Sequence, residues 1–277
     1  MKARFPALVI ALCLVGNEVP ARAGQAGSGL FPDKNLEEAV RAALQNPKGE
    51  LKEADLKNVF ILEAPGKNIT DLTGLEKCPN LALLKLTNNR VKDLTPLKGL
   101  ANLQSLDLAG NQITDLAPLS GLTKLQYLEL SGNQISDLKP LAGLTSLSAL
   151  YLGGNKISDL TPLAGLTRLA SLSVPRNQVR DLAPLAKLAG VSTLDLSDNQ
   201  IEDLTPLAKL TEVRLLILRN NKVTDLAPLV EAAKADAEGP KRFAPFLRLY
   251  LGGNPLSEAA KSSQVPALKG VGVKVED

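Results

Sequence analysis

Between residues 58 and 256 the apolar and polar positions recur on one frame of 22 residues. Leu103-Gln104-Ser105-Leu106-Asp107-Leu108-Ala109-Gly110-Asn111 shows the phrase, and Asn89, Asn111, Asn133, Asn155, Asn177, Asn199 and Asn221 each close one copy of it. In the Leu-Asp-Leu of Leu106 to Leu108, alternation has period 2, so the leucines point inward and the middle residue outward, as on a short strand. A fixed interval with this spacing of leucines predicts a leucine-rich repeat solenoid. The fold class is α/β: a right-handed solenoid with a curved parallel β-sheet on its concave face and short 3-10 turns on its convex face. Each asparagine turns inward after its strand, where its amide can satisfy backbone groups that water does not reach. Four residues further on stands Asp93, Asp115, Asp137, Asp159, Asp181, Asp203 or Asp225, placed to cap the convex turn. Pro96 and its six equivalents pre-set φ there and need no donor.

The frame also shows where it fails. Residues 58–79 form a degenerate first repeat, with Leu62, Ile69, Leu72 and Leu75 in place but Lys67 where the asparagine belongs. Asn254 falls 33 residues after Asn221, one period plus eleven, and the surplus predicts an insertion at about 230–244, a short polar helix ending at Gly239-Pro240. A final strand is expected over 246–251, with Phe246, Leu249 and Leu251 inward. Residues 257–277 read as a helix and last strand capping that end.

Upstream, Leu36, Val40 and Leu44 recur at helical spacing, with Asp33 and Asn35 as candidate N-caps. Leu51 to Val59 reads as a second short helix. Together 31–57 make a helical cap, too small for a core of its own, that covers the open end of the solenoid. Residues 24–30 are a Gly/Ser/Ala linker. Residues 1–23 have the form of a secretory signal peptide: Lys2 and Arg4, an apolar stretch from Ala7 to Val15, and Ala21-Arg22-Ala23 for cleavage after Ala23. This predicts a secreted or periplasmic, monomeric chain with no membrane insertion once the signal is removed. Cys13 follows Leu12 rather than a small residue, so a lipoprotein site is not expected, and no C-terminal anchor is read.

Composition removes several chemistries. The chain has no histidine and two cysteines, Cys13 and Cys78. The commonest general base and metal ligand are therefore missing. Cys78 fills a leucine slot of the repeat, where a free cysteine acts as a small hydrophobe. With 32 basic and 29 acidic residues, no clustered basic face for nucleic acid is implied. One carboxylate per turn does not converge oxygens as calcium requires. Gly153-Gly154 and Gly252-Gly253 are turn glycines, and no phosphate loop is present. No cofactor, metal site or catalytic residue is assigned.

The consensus N-L-x-x-L-x-L-x-x-N-x-I-x-D-L-x-P-L resembles the 22-residue repeats of the bacterial internalin-like family. The upstream F-P-D-K-N-L-E-E-A-V-R-A-A-L, L-K-E-A-D-L-K-N-V and I-T-D-L-T-G-L-E are similar to the cap that precedes internalin repeats. The resemblance covers about residues 31–256 and implies a surface or secreted protein that binds other proteins through the concave sheet. The immunoglobulin-like domain, wall-anchor signal and GW-type modules that can follow internalin repeats are absent from this sequence, so host invasion is not implied.

On this reading the outward strand positions are where a partner would sit. Two clusters stand out. Tyr127 and Tyr151 come from adjacent strands, with Glu129 and Asp107 beside them. Leu215 and Ile217 form an outward apolar pair near Arg219, Arg248 and Tyr250. Tyrosine and arginine are the usual hot-spot residues of protein contacts. The expected function is a non-catalytic scaffold for a protein partner. The alternatives are a structural envelope or matrix protein without a specific partner, and a carboxylate-dependent hydrolase using Asp107 and Glu129.

Overall fold

The computed structural model describes residues 29–239 and 241–277. The signal-peptide reading, Cys13, most of the linker and Pro240 lie outside those residues.

Ten strands form one sheet in chain order, all neighbours parallel. They are β1 (Ile61–Glu63), β2 (Leu83–Lys85), β3 (Ser105–Asp107), β4 (Tyr127–Glu129), β5 (Ala149–Tyr151), β6 (Ser171–Ser173), β7 (Thr193–Asp195), β8 (Leu215–Ile217), β9 (Arg248–Tyr250) and β10 (Lys274–Glu276). Each strand has three residues, and only the middle one turns inward. Leu84, Leu106, Leu128, Leu150, Leu172, Leu194, Leu216 and Leu249 therefore stack in register as one buried row. Burying each such leucine contributes about 1.5–3 kcal/mol. The return path runs through short 3-10 turns such as Thr95–Leu97 and Ala117–Leu119, so the sheet is open and curved with its strands on one face.

The repeat asparagines do what their burial requires. Asn111 Nδ2 donates to Leu86 O and Leu108 O, and its Oδ1 accepts from Val91 N. The same set recurs from Asn89 to Asn254. Each amide thus ties one coil to the next and fills backbone valences inside the solenoid. The aspartates also take their expected place: Asp93, Asp115, Asp159 and Asp203 each accept from the N–H two residues on, the first residue of the 3-10 turn. The residue before each ladder asparagine adopts positive φ, as at Gly110 (66°) and Gly154 (65°). A Cβ at Gly110 would stand 2.2 Å from Asn88 Oδ1. Arg176, at 54°, takes the same conformation with a full side chain.

Each end is closed around one carboxylate. At the N-terminal end, Asp33 Oδ1 caps α1 (Lys34–Ala43) through Asn35 N and Leu36 N, while Oδ2 accepts from Thr70 N, Thr70 Oγ1 and Asp71 N. One residue thereby holds the cap to the first repeat. Burial pushes its pKa up, but these hydrogen bonds outweigh burial and hold the carboxyl below its usual value. Leu51 to Val59 contains a 3-10 helix, Glu53–Asn58. Cys78 is free and wholly buried, and burial, aided by the Glu76 charge, pushes its thiol up to about 11.

At the other end the insertion is α2 (Ala227–Glu238), which begins inside the repeat's own Ala-Pro-Leu and packs against the convex 3-10 turn Thr205–Lys209. Its Asp236 is 4% exposed and accepts from Arg242 N, Phe243 N and Ala244 N. Here the structure corrects the sequence reading. Phe246 does not enter the inward slot of a strand over 246–251. It ends a 3-10 turn, Ala244–Phe246, with 57% of its surface exposed, and Leu247 is buried instead. The carboxylate of Asp236 fixes the chain from 242 to 244, so the inward position arrives one residue late. The tail forms α3 (Val265–Gly270) and then β10, as expected.

Candidate protein-contact face

The outward residues of the strands make two rows along the concave face. One runs Ile61, Leu83, Ser105, Tyr127, Ala149, Ser171, Thr193, Leu215, Arg248, Lys274, the other Glu63, Lys85, Asp107, Glu129, Tyr151, Ser173, Asp195, Ile217, Tyr250, Glu276. Every outward residue from Leu83 to Ile217 is half-buried, because its neighbours on the two adjoining strands flank it.

The first predicted cluster is assembled. Tyr127 lies opposite Ala149, which places Tyr151 on the diagonal, and the two rings meet with centroids 5.6 Å apart at 47°. Such tilted pairs at this separation are favourable in their own right. Glu129 lies opposite both Asp107 and Tyr151 in the neighbouring strands. Both carboxylates are oriented from their own side of the sheet: Asp107 accepts from Thr87 Oγ1 (2.8 Å) and Ala109 N (3.1 Å), and Glu129 from Ser131 N (2.7 Å). Burial, then the charges of Glu129 and Asp107, push the Tyr127 hydroxyl above its usual pKa. A hydrolase built on Asp107 and Glu129 finds no support in this geometry, since both lie on the open sheet. Surface depressions of about 510, 440 and 270 Å³ lie elsewhere, on the cap beside α1, beside α2 and on the flank at Arg180.

The second predicted cluster is also assembled, but its groups are engaged with one another. Arg219 and Arg248 both stand over the Tyr250 ring, at 4.8 and 5.6 Å from its centre. Arg248 pairs with Glu276 at 3.2 Å, and Arg219 donates to the Asp277 carbonyl. A hydrogen bond from the Tyr250 hydroxyl, then Arg248, holds the Glu276 carboxyl below its usual range. Leu215 and Ile217 remain outward beside this assembly. The insertion does not roof it, because α2 packs on the convex side.

Three groups were not singled out from sequence. Glu276 and Asp277 join the second cluster through the pairing of β10 with β9. Arg214 stacks on the exposed Phe246, 4.7 Å from the ring centre. Phe60 and Ile61, 54% and 58% exposed, extend the apolar start of the face beside Leu83. Ile61 was legible by the same alternation that placed Leu83.

Among the described residues no group of His, Cys, Asp and Glu could hold a metal ion, and no helix is long and apolar enough to cross a membrane.

The family described as Leucine Rich repeats (2 copies) matches residues 101–143 and 190–231. No curated protein matches the chain. Among solved structures, internalin C2 from Listeria monocytogenes is 40% identical, over 73% of this chain and 90% of that one, with a TM-score of 0.71. Internalin F from the same species is 31% identical, over 90% and 76%, with a TM-score of 0.72. A leucine-rich repeat protein from Leptospira interrogans, 24% identical over 75% and 57% with a TM-score of 0.64, shares the fold. With the repeat frame, the asparagine ladder and the single parallel sheet, these likenesses place the chain in the internalin-like leucine-rich repeat family.

Proposed function

We propose that the chain is an exported, non-catalytic scaffold that holds a protein partner on its concave sheet, with the contact centred on Tyr127 and Tyr151. The observation that carries this reading is the tyrosine pair itself. Two tilted aromatic rings stand at the middle of an open sheet whose leucine rows, asparagines and turn aspartates are all committed to the scaffold. Rigid aromatic side chains presented on regular strands lose little entropy on binding, and they dominate protein contacts. Internalin kinship supports a protein partner, and the secretory form of residues 1–23 supports export.

The test is affinity capture from the exported fraction with the wild-type chain and with Tyr127→Ala plus Tyr151→Ala. A saturable partner should be retained by the wild type and weakened by the double variant about 30-fold or more, as for loss of hot-spot tyrosines. Equal capture by both proteins would remove the tyrosine pair from the contact. Self-association alone would favour a structural envelope role. Mass spectrometry of the chain's N-terminus in cells should show cleavage after Ala23, and an uncleaved cytoplasmic chain is incompatible with export.

A further inference from the structure

The molecule shows on its own surface how a concave tyrosine is satisfied. Tyr250 carries two guanidiniums over its ring, Arg219 at 4.8 Å and Arg248 at 5.6 Å. Tyr127 and Tyr151 offer two ring faces on the same sheet, yet among the described residues no cation stands over either. Their surroundings are of the sign that attracts one. Glu129 lies beside both tyrosines and Asp107 lies beside Glu129. Glu129 is held by a hydrogen bond from its own loop and Asp107 by one from its own loop and one from Thr87 of the preceding repeat, and each keeps acceptor capacity towards solvent. Neither forms an ion pair among the described residues. Lys85, the nearest cation of that row, stands on the far side of Asp107 from the tyrosines.

The geometry points to a subsite for one basic side chain of the protein partner, an arginine or lysine laid over Tyr127 and Tyr151 with its charge against Glu129 and Asp107. Charge complementarity selects this occupant over an apolar or acidic one: a cation gains both the ring quadrupoles and the carboxylates, an apolar group gains only area, and an anion meets two like charges. An arginine fits best, because its planar guanidinium stacks on a ring while its edge still reaches a carboxylate. The inference rests on the concave-face reading above and refines it by naming what the partner presents.

The chain has three tyrosines, so ring signals can be followed singly by NMR in the full chain with labelled tyrosine. The probes are N-acetyl-arginine amide and its neutral isostere N-acetyl-citrulline amide. The arginine probe should shift the Tyr127 and Tyr151 rings saturably and leave Tyr250 unmoved, since that ring is already covered. Citrulline should need roughly fivefold more, and Asp107→Asn with Glu129→Gln should raise the arginine half-saturation about fivefold, as for loss of two solvated charge contacts. The amide oxygen left at position 107 still accepts from Ala109 N while its NH2 donates to the reoriented Thr87 hydroxyl, and the oxygen left at position 129 still accepts from Ser131 N, so the loops should hold. Equal responses to arginine and citrulline, an arginine response unchanged in the double variant, or one that does not saturate would each overturn the subsite. The two readings fail separately. Equal responses to the probes remove the cation and leave the protein contact standing, whereas capture insensitive to the tyrosine variants removes the contact while the titration still reports on the rings.

Discussion

At the C-terminal end of the sheet, Tyr250 sits under Arg219 and Arg248, and its hydroxyl meets Glu276. At the centre, Tyr127 and Tyr151 meet each other with Glu129 beside both and Asp107 next in the row, and among the described residues no cation stands over either ring. The residue type, the face and the strand geometry are the same in both places. What differs is the origin of the neighbours. Around Tyr127 and Tyr151 every neighbour comes from the repeat itself, which supplies one outward residue per position and nothing above it. Around Tyr250 the neighbours include Glu276 and Asp277, contributed by the tail that closes the solenoid. The closure needed to protect the last coil from water also satisfies the last aromatic. The middle of the sheet has no such closure, which is why the proposed partner contact is placed there.

Breaking the closure should break this comparison at one end only. Asp236→Ala removes the acceptor for three N–H groups, two of them fully buried, at a cost of about 3 kcal/mol or more. Because repeat arrays are coupled mainly through nearest neighbours, hydrogen exchange should show lost protection over 227–277 and retained protection around β4 and β5. A uniform loss along the chain would mean that the two regions are not separable.

The pH dependence is the next largest effect, and it acts at both ends and also at the convex turns, where hydrogen bonds from Thr95, Thr161 and Thr205 hold Asp93, Asp159 and Asp203 below their usual value. Asp33 and Asp236 have folded pKa values held below the ordinary 3.8. The unfolded chain therefore takes up protons first as pH falls, and stability rises with pH through that window. Full stability is expected above the unfolded value, with progressive loss as pH drops below it through the folded values. Urea midpoints measured between neutral pH and about pH 2.5 should fall in this way, and Asp33→Asn with Asp236→Asn should reduce the slope without removing it, since Asp93, Asp159, Asp203 and Glu276 are lowered as well. The central tyrosine pair contributes nothing to this profile.

The smallest effect converts one region into the other. Arg219→Ala with Arg248→Ala should change stability by about 1 kcal/mol or less, the scale of exposed cation–π contacts. The uncovered Tyr250 ring should then respond to an added arginine derivative, as Tyr127 and Tyr151 do in the unaltered chain. A Tyr250 ring that stays silent would show that something besides the two guanidiniums closes that end.

The scaffold was legible because its residues answer to local rules repeated seven times. An asparagine after a strand, an aspartate before Leu-x-Pro-Leu and leucines at period 2 each have one physical role, and Asn111, Asp115 and Leu106 perform it. The outward rows were legible for the same reason, including the approach of Tyr127 to Tyr151. What was not legible came from outside the frame. Phe246 against Leu247 could not be decided from alternation, because the register after the insertion is set by Asp236, whose partners lie six to eight residues along the chain. The engagement of Tyr250 depended on the register of β10 against β9, and no periodic signal links residue 276 to residue 250. The left-handed position before each ladder asparagine left a trace that was read only at the turn glycines Gly154 and Gly253: Asn88, Gly110, Gly132, Asp198 and Asn220 occupy it too, all residues that tolerate positive φ, with Arg176 the exception.

The central claim is that the partner is held by the middle of the concave sheet and not by its C-terminal end. Calorimetric titration of the captured partner into Tyr127→Ala plus Tyr151→Ala, and in parallel into Tyr250→Ala, tests it most directly, with thermal melts confirming that each variant is folded. The first variant should lose about 30-fold or more in affinity and the second no more than about twofold. A partner that binds the first variant unchanged and fails on the second would contradict the account.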